Sequence, residues 1–125
     1  MNRSKEKGIE GKISSIVREL LREQIGEDAN SIQTALLGNM ILVKVRGYLS
    51  PAEKDMMRGE GASQLLKEMK ERVLEEVKPI MKREIERKTG LKISNIYSLF
   101  GVDDVRFDII IIKEYDESAD SRPYH

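Results

Sequence analysis

The sequence predicts an α+β fold of element order α-β-β-α-β-β, with a four-stranded, mainly antiparallel sheet, helices packed on one face and a long kinked central helix. Three observations carry that prediction. The segments Ser31 to Leu49 and Leu91 to Lys113 are rich in β-formers, and each is split by a turn signal. Between them, Pro51 to Gly90 repeats apolar residues at helical spacing. The chain has 125 residues, 39% hydrophobic and 35% charged, which suffices for one core and leaves no room for a second.

Ile9, Ile13, Ile16, Val17, Leu20 and Leu21 fall at helical spacing, and Gly26 stands where a left-handed terminator is expected, so the first element is an amphipathic helix. Residues 1–8 are expected to be a flexible lead-in. The strands Ser31 to Leu37 and Met40 to Leu49 are joined by Gly38-Asn39, a two-residue connection suited to a tight hairpin. That turn sets the register, opposing Leu36 to Ile41, Thr34 to Val43 and Ile32 to Val45 on one mostly apolar face.

Ser50-Pro51-Ala52-Glu53 combines a hydroxyl N-cap, a proline at the first helical position and a carboxylate that reaches back to the cap amide. A helix starts there. Gly59 and Gly61 weaken it, so the segment to Gly90 is either one rod or a short helix followed by a long one. Leu65, Met69, Val73, Val77, Met81 and Ile85 recur every four residues, and each step advances about 40° around a helix. Five steps wind the stripe by roughly 200°, more than a straight helix can keep on one sheet, which predicts a bend near Pro79. Thr89-Gly90 ends the helix.

The second strand pair runs from Leu91 to Phe100 and from Val105 to Lys113 around Gly101-Val-Asp-Asp104. A four-residue loop opposes Ile96 to Ile109, and a three-residue loop opposes Tyr97 to Phe107. The remaining sheet face is predicted to hold Met40, Leu42, Ile110 and Ile112 beside Lys44, Arg46, Arg106 and Asp108. That mixture is too apolar for water and too charged for an ordinary interior, so Met40, Leu42, Arg46, Arg106, Ile110 and Ile112 are the candidate interface, with a homodimer or another partner against it; the alternative is a helix that crosses over and covers the face. The single domain spans 9–113. The tail 114–125, with four acids, one Arg and one Pro, is expected to be mobile.

Composition excludes much chemistry. Twenty-two Lys plus Arg balance twenty-two Asp plus Glu, so no global field favours nucleic acid or an anionic surface. No Cys is present and the single His is residue 125, which removes thiolate nucleophiles, His bases and His or Cys metal sites built on a rigid scaffold. No apolar run approaches the roughly 20 residues that span a bilayer, which predicts a soluble, unprocessed cytoplasmic protein without direct membrane insertion. No catalytic residue, cofactor site or metal site is expected.

Weaker candidates remain. Gly59-Glu-Gly-Ala-Ser63 lacks the strand and third glycine of a dinucleotide fingerprint, but Lys54, Arg58, Gly59, Gly61 and Ser63 together form a candidate anion site at the start of the long helix. Asp103, Asp104 and Asp108 are better read as turn and strand residues than as cation ligands. The basic cluster from Lys78 to Lys88 complements the helix dipole and offers a contact to an acidic partner or lipid headgroups.

Five stretches together carry a resemblance: Ile32, the strand Met40-Ile-Leu-Val-Lys-Val-Arg-Gly-Tyr-Leu49, the start Leu49-Ser-Pro-Ala-Glu53, the run Glu75-Glu-Val-Lys-Pro79, and Ile85 to Gly90 leading into a strand. As an ensemble, covering roughly residues 9 to 113, they resemble the MpsC-like or YbcI-like family. Members of that family often carry a His and an Asp in the third strand, where this chain has Tyr97 and Leu99. The resemblance implies an accessory protein beside membrane machinery that moves sodium or inorganic carbon. It supplies no catalytic residue. A membrane transporter subunit is the implied partner, with the protein peripheral to the membrane through it; a small-ligand or anion sensor and a small enzyme are the alternatives.

Overall fold

The computed structural model describes residues 3–101 and 103–113. Helix α1 spans Arg3–Leu20 and runs on through a π-helical turn, Leu21–Ile25. Strands β1 (Ser31–Leu37) and β2 (Met40–Arg46) follow, then helices α2 (Pro51–Met56) and α3 (Glu60–Thr89), then strands β3 (Ile93–Phe100) and β4 (Val105–Ile112). The sheet order is β1-β2-β4-β3, and every neighbouring pair is antiparallel. The α+β architecture and its order are as the sequence predicts. The tail 114–125 lies outside the described residues.

α1 starts six positions before Ile9, so residues 3–8, expected as a flexible lead-in, are its first turns. Arg, Ser, Lys and Glu there are compatible with helix, and an apolar period cannot mark a polar turn. The helix ends as expected at Gly26, whose φ is 70°. Its amide donates to Arg22 O at 3.1 Å and the Glu27 amide to Leu21 O at 3.0 Å, the paired bonds of a glycine-terminated helix end.

The first hairpin has the predicted register, Leu36 opposite Ile41, Thr34 opposite Val43 and Ile32 opposite Val45, with Gly38 at φ 63°. The helix start is also as predicted. Ser50 accepts from the Glu53 amide while Glu53 Oε1 accepts from the Ser50 amide at 2.9 Å. Of the alternatives for the middle of the chain, the short helix followed by a long one is realised, with Gly59 extended between them. α3 continues helically through Pro79.

The core is a single cluster between the sheet and one layer formed by α1 and α3. The buried residues of α3 are Leu66, Lys70, Leu74, Val77, Met81 and Ile85, of which the last four belong to that cluster. The predicted stripe therefore holds from Val77 onward and shifts by one residue before it, leaving Leu65 and Met69 more than half exposed. The reason is angular. The single three-residue step from Leu74 to Val77 turns the stripe back by about 60°, so the face rotates by about 100° over its length instead of about 200°.

The second hairpin matches neither predicted loop. Tyr97 opposes Ile109, Leu99 opposes Phe107 and Phe100 opposes Arg106. Asp103 and Asp104 both adopt left-handed φ, 57° and 61°, and lengthen the turn beyond a tight hairpin. At the other end a bulge at Ser94 lets both Ile93 and Ile96 face the core.

Candidate functional site

Two features stand out as sites, one on each face of the sheet. On β2, Ile41, Val43 and Val45 are fully buried under the helices, so Met40, Leu42, Lys44 and Arg46 point to the other face. The β2–β4 register opposes Ile41 to Ile110, Val43 to Asp108 and Val45 to Arg106. Directly opposed residues share a face. Arg106, Asp108 and Ile110 are therefore on the covered side, each almost wholly buried, and Ile112 packs against the core there.

This corrects the predicted interface. Met40, Leu42 and Arg46 lie on the open face as expected; Arg106, Ile110 and Ile112 do not. Their places are taken by Phe107, Ile109 and Ile111, half-buried residues opposed to Lys44, Leu42 and Met40. Leu37, Tyr97 and Leu99 extend the open patch, each about half exposed or more. Reading β4 alone permitted either assignment, because both of its faces carry isoleucine.

Each edge of the sheet has backbone amides already taken by side chains. Glu10 on α1 accepts from the Leu36 amide of edge strand β1 at 2.8 Å. On edge strand β3, Glu86 accepts from the Ile93 amide and the Asn95 side chain from the Ile96 amide, both at 2.8 Å. Those three amides are occupied and would have to be released before another strand could pair there.

The second feature is a buried ion network. The glycine-terminated end of the first helix turns Glu27 inward, where it is 4% exposed. Glu27 accepts from Arg106 Nη1 at 3.0 and 3.3 Å and pairs with Lys70 Nζ at 2.9 Å. Lys70 also meets Glu53 Oε2 at 3.0 Å. The Arg106 guanidinium lies 5.0 Å from the Tyr48 ring centroid and 6.0 Å from that of Phe100, and the two rings meet edge-on at 5.8 Å, so the cation and both rings pack as a triangle. Arg106 Nε stands 3.5 Å from Asp108 Oδ1, which accepts from the Ser98 hydroxyl at 2.8 Å. Among the described residues Arg106 Nη2 and Asp108 Oδ2 have no hydrogen-bond partner.

Burial sets the ionisation of this group. It pushes the Asp108 carboxyl above the usual carboxylate range, against the opposing pull of Arg106 and Ser98. It also pushes the Tyr48 hydroxyl up to about 12, again opposed by Arg106, so Tyr48 is a neutral phenol at physiological pH. At Glu53 burial is outweighed by the Ser50 amide and the Lys70 ammonium, which hold its carboxyl below the usual range.

A polar cleft of about 490 Å³ opens above the network, lined by Glu27, Tyr48, Glu53, Lys54 and Lys70 among others. A smaller one of about 300 Å³, lined by Met57, Leu66 and Phe100, shares Tyr48, Leu49 and Lys70 with it. Sequence reasoning missed the network. Its available signal was Arg106 and Asp108 alternating with Ile110 in a strand that is otherwise apolar.

The candidate anion site is assembled differently from its prediction. Lys54 Nζ lies 3.6 Å from Asp104 and Arg58 pairs with Asp55 at 3.0 Å, so both cations already have carboxylates. Gly59 is extended, its amide donating to Met56 O at 3.2 Å, and the Ser63 amide donates to Gly59 O. Gly61 has open space where a Cβ would stand. In the basic cluster, Lys78 pairs with Glu75, and Arg87 and Lys88 both reach Glu84. No helix among the described residues is long and apolar enough to cross a membrane.

A protein-family model described as "Na+-translocating membrane potential-generating system (MpsC)" matches residues 5–113. The comparison with curated proteins gave no match.

Proposed function

The chain belongs to the MpsC family, and from that premise we propose that it is a non-enzymatic accessory or regulatory protein of a sodium-translocating membrane system, acting as a homodimer from the cytoplasmic side. The observation that carries the docking part is the open sheet face of Met40, Leu42, Phe107, Ile109 and Ile111, extended by Leu37, Tyr97 and Leu99. A contiguous apolar face of this kind is costly to leave in water.

A second copy is the occupant it suits. Four strands about 4.8 Å apart and seven residues long make a flat footprint of about 450 Å². Side-chain relief raises that toward the roughly 600 Å² per partner at the lower end of stable interfaces. The cations of the face, Lys44 and Arg46, lie toward one end of β2. Antiparallel two-fold stacking sets them over the Leu37–Met40 end of the other copy, so neither cation meets its own counterpart. The occupied edge amides of Leu36, Ile93 and Ile96 count against strand addition at those positions.

Sedimentation equilibrium of the full chain tests the dimer. Twice 14.3 kDa is expected for the wild type, and the monomer mass for Ile109→Lys with unchanged circular dichroism. A wild type that stays monomeric at high micromolar concentration overturns it. Fractionation of source cells tests the membrane link, which fails when the protein never co-sediments with membranes.

A further inference from the structure

We propose that α2 is a strap latched beside the two clefts by the Glu53–Lys70 ion pair, and that release of this pair swings Pro51–Met57 outward as a rigid piece and widens both clefts. The inference is independent of the docking face. Among the described residues α2 contributes no buried side chain to the core, so packing holds it weakly. Its ties to the body are polar: Glu53 to Lys70 at 3.0 Å, and the looser Lys54 to Asp104 contact at 3.6 Å.

The two oxygens of Glu53 do different work. Oε1 accepts from the Ser50 amide and closes the capping box, while Oε2 meets Lys70. Breaking the second contact leaves the first intact, so the strap keeps its helical form as it moves. Lys70 likewise retains Glu27 at 2.9 Å, so opening strands no buried charge. On the far side the extended Gly59 separates the strap from α3. Ser50, Pro51, Glu53 and Lys54 wall the larger cleft and Met57 the smaller, with Tyr48, Leu49 and Lys70 common to both. Lifting α2 therefore takes one wall from each cleft, and in the smaller one the departing Met57 lies beside Leu66, which is 4% exposed when the strap is down.

The absence of cysteine from the chain makes thiol labelling a clean readout. In Leu66→Cys, alkylation by iodoacetamide is expected to be slow. Adding Glu53→Gln, which keeps a capping oxygen but loses the charge, is expected to speed it roughly fivefold to tenfold, the range of a charge-assisted contact with one partly exposed member. High salt is expected to speed labelling of the single variant and to leave the double variant unchanged. Glu71→Gln, an exposed change elsewhere on α3, is expected to have no effect. A double-variant rate within about twofold of the single variant overturns the proposal.

Amide exchange on the otherwise native chain keeps the test valid if Leu66→Cys fails to fold. Glu53→Gln is expected to accelerate exchange in residues 49–58 while β2 and β4 keep their protection. Equal acceleration in the strap and the strands reports general destabilisation and rejects the latch.

Discussion

Arg106 and Glu27, 79 residues apart in the chain, meet at 3.0 Å in the core, where both are cut off from solvent. The contact ties the central strand β4 to the loop that follows the first helix, and Lys70 adds α3 to the same carboxylate. Glu27 is thus the one counter-charge that two buried cations share. Isolated charges in a core are costly, whereas paired ones roughly offset their desolvation.

Removing the shared carboxylate is expected to hurt more than removing Lys70. Glu27→Gln takes from Arg106 the carboxylate that it hydrogen-bonds and should destabilise the fold by about 3–5 kcal/mol. Lys70→Met, which leaves the Arg106–Glu27 pair in place, should cost less. Urea unfolding followed by circular dichroism measures both, and equal costs contradict the shared-partner arrangement.

Asp108 should make stability depend on pH in the direction opposite to ordinary paired carboxylates. Its folded pKa is raised above its ordinary value of 3.8 by burial. The folded state therefore binds the extra proton, and stability falls as pH rises from about 4 to the folded pKa, with a slope approaching about 1.4 kcal/mol per pH unit. Asp108→Asn keeps an acceptor for the Ser98 hydroxyl and abolishes that slope. Its stability relative to the wild type should grow between pH 4 and neutrality. A difference that does not vary with pH would count against the raised pKa.

Glu53 acts with the opposite sign. Its folded pKa lies below the ordinary 4.5, so its contribution is present above that value and is lost as pH falls through the folded pKa. The Glu53→Gln variant and the wild type should converge in stability under acid and diverge at neutral pH, as thermal melts across that range will register.

Neighbouring residues on one strand should respond very differently to truncation. Ile110→Ala opens a cavity in the core and should cost about 2–5 kcal/mol. Ile109→Ala, on the open face, should cost far less in the monomer and weaken self-association instead. Comparable losses in thermal stability for the two variants at low protein concentration would refute the face assignment.

The same contrast applies on α3. Leu66→Ala should cost about 2–4 kcal/mol, while Leu65→Ala, 56% exposed, should stay within about 0.5 kcal/mol of the wild type. Chemical denaturation of the pair decides whether the stripe shifts by one residue before Val77.

Local chemistry was legible wherever one physical rule governed the outcome. Ser50 with Glu53 could close only a capping box, Gly38-Asn39 set the first register, and Gly26 and Gly90 adopt the left-handed φ of 70° and 79° that end helices. The second hairpin was not legible, because two consecutive aspartates in left-handed conformation are held by contacts from elsewhere. Asp104 accepts from the Gly47 and Leu49 amides, both at 2.8 Å, and no local pattern encodes that. The candidate interface was half legible for a related reason. Alternation identifies two faces on each strand but does not say which face of β4 joins which face of β2.

By itself the sequence determined the element order, the α+β class, the family and the existence of an apolar sheet face, since periodicity, capping and turn chemistry act within a few residues. The tertiary structure alone decided that Phe107, Ile109 and Ile111 form that face while Arg106 and Asp108 go inside. A one-residue change of register reverses every side chain of a strand, and only pairing with β2 and burial of Arg106 against Glu27 and Tyr48 select between the two arrangements.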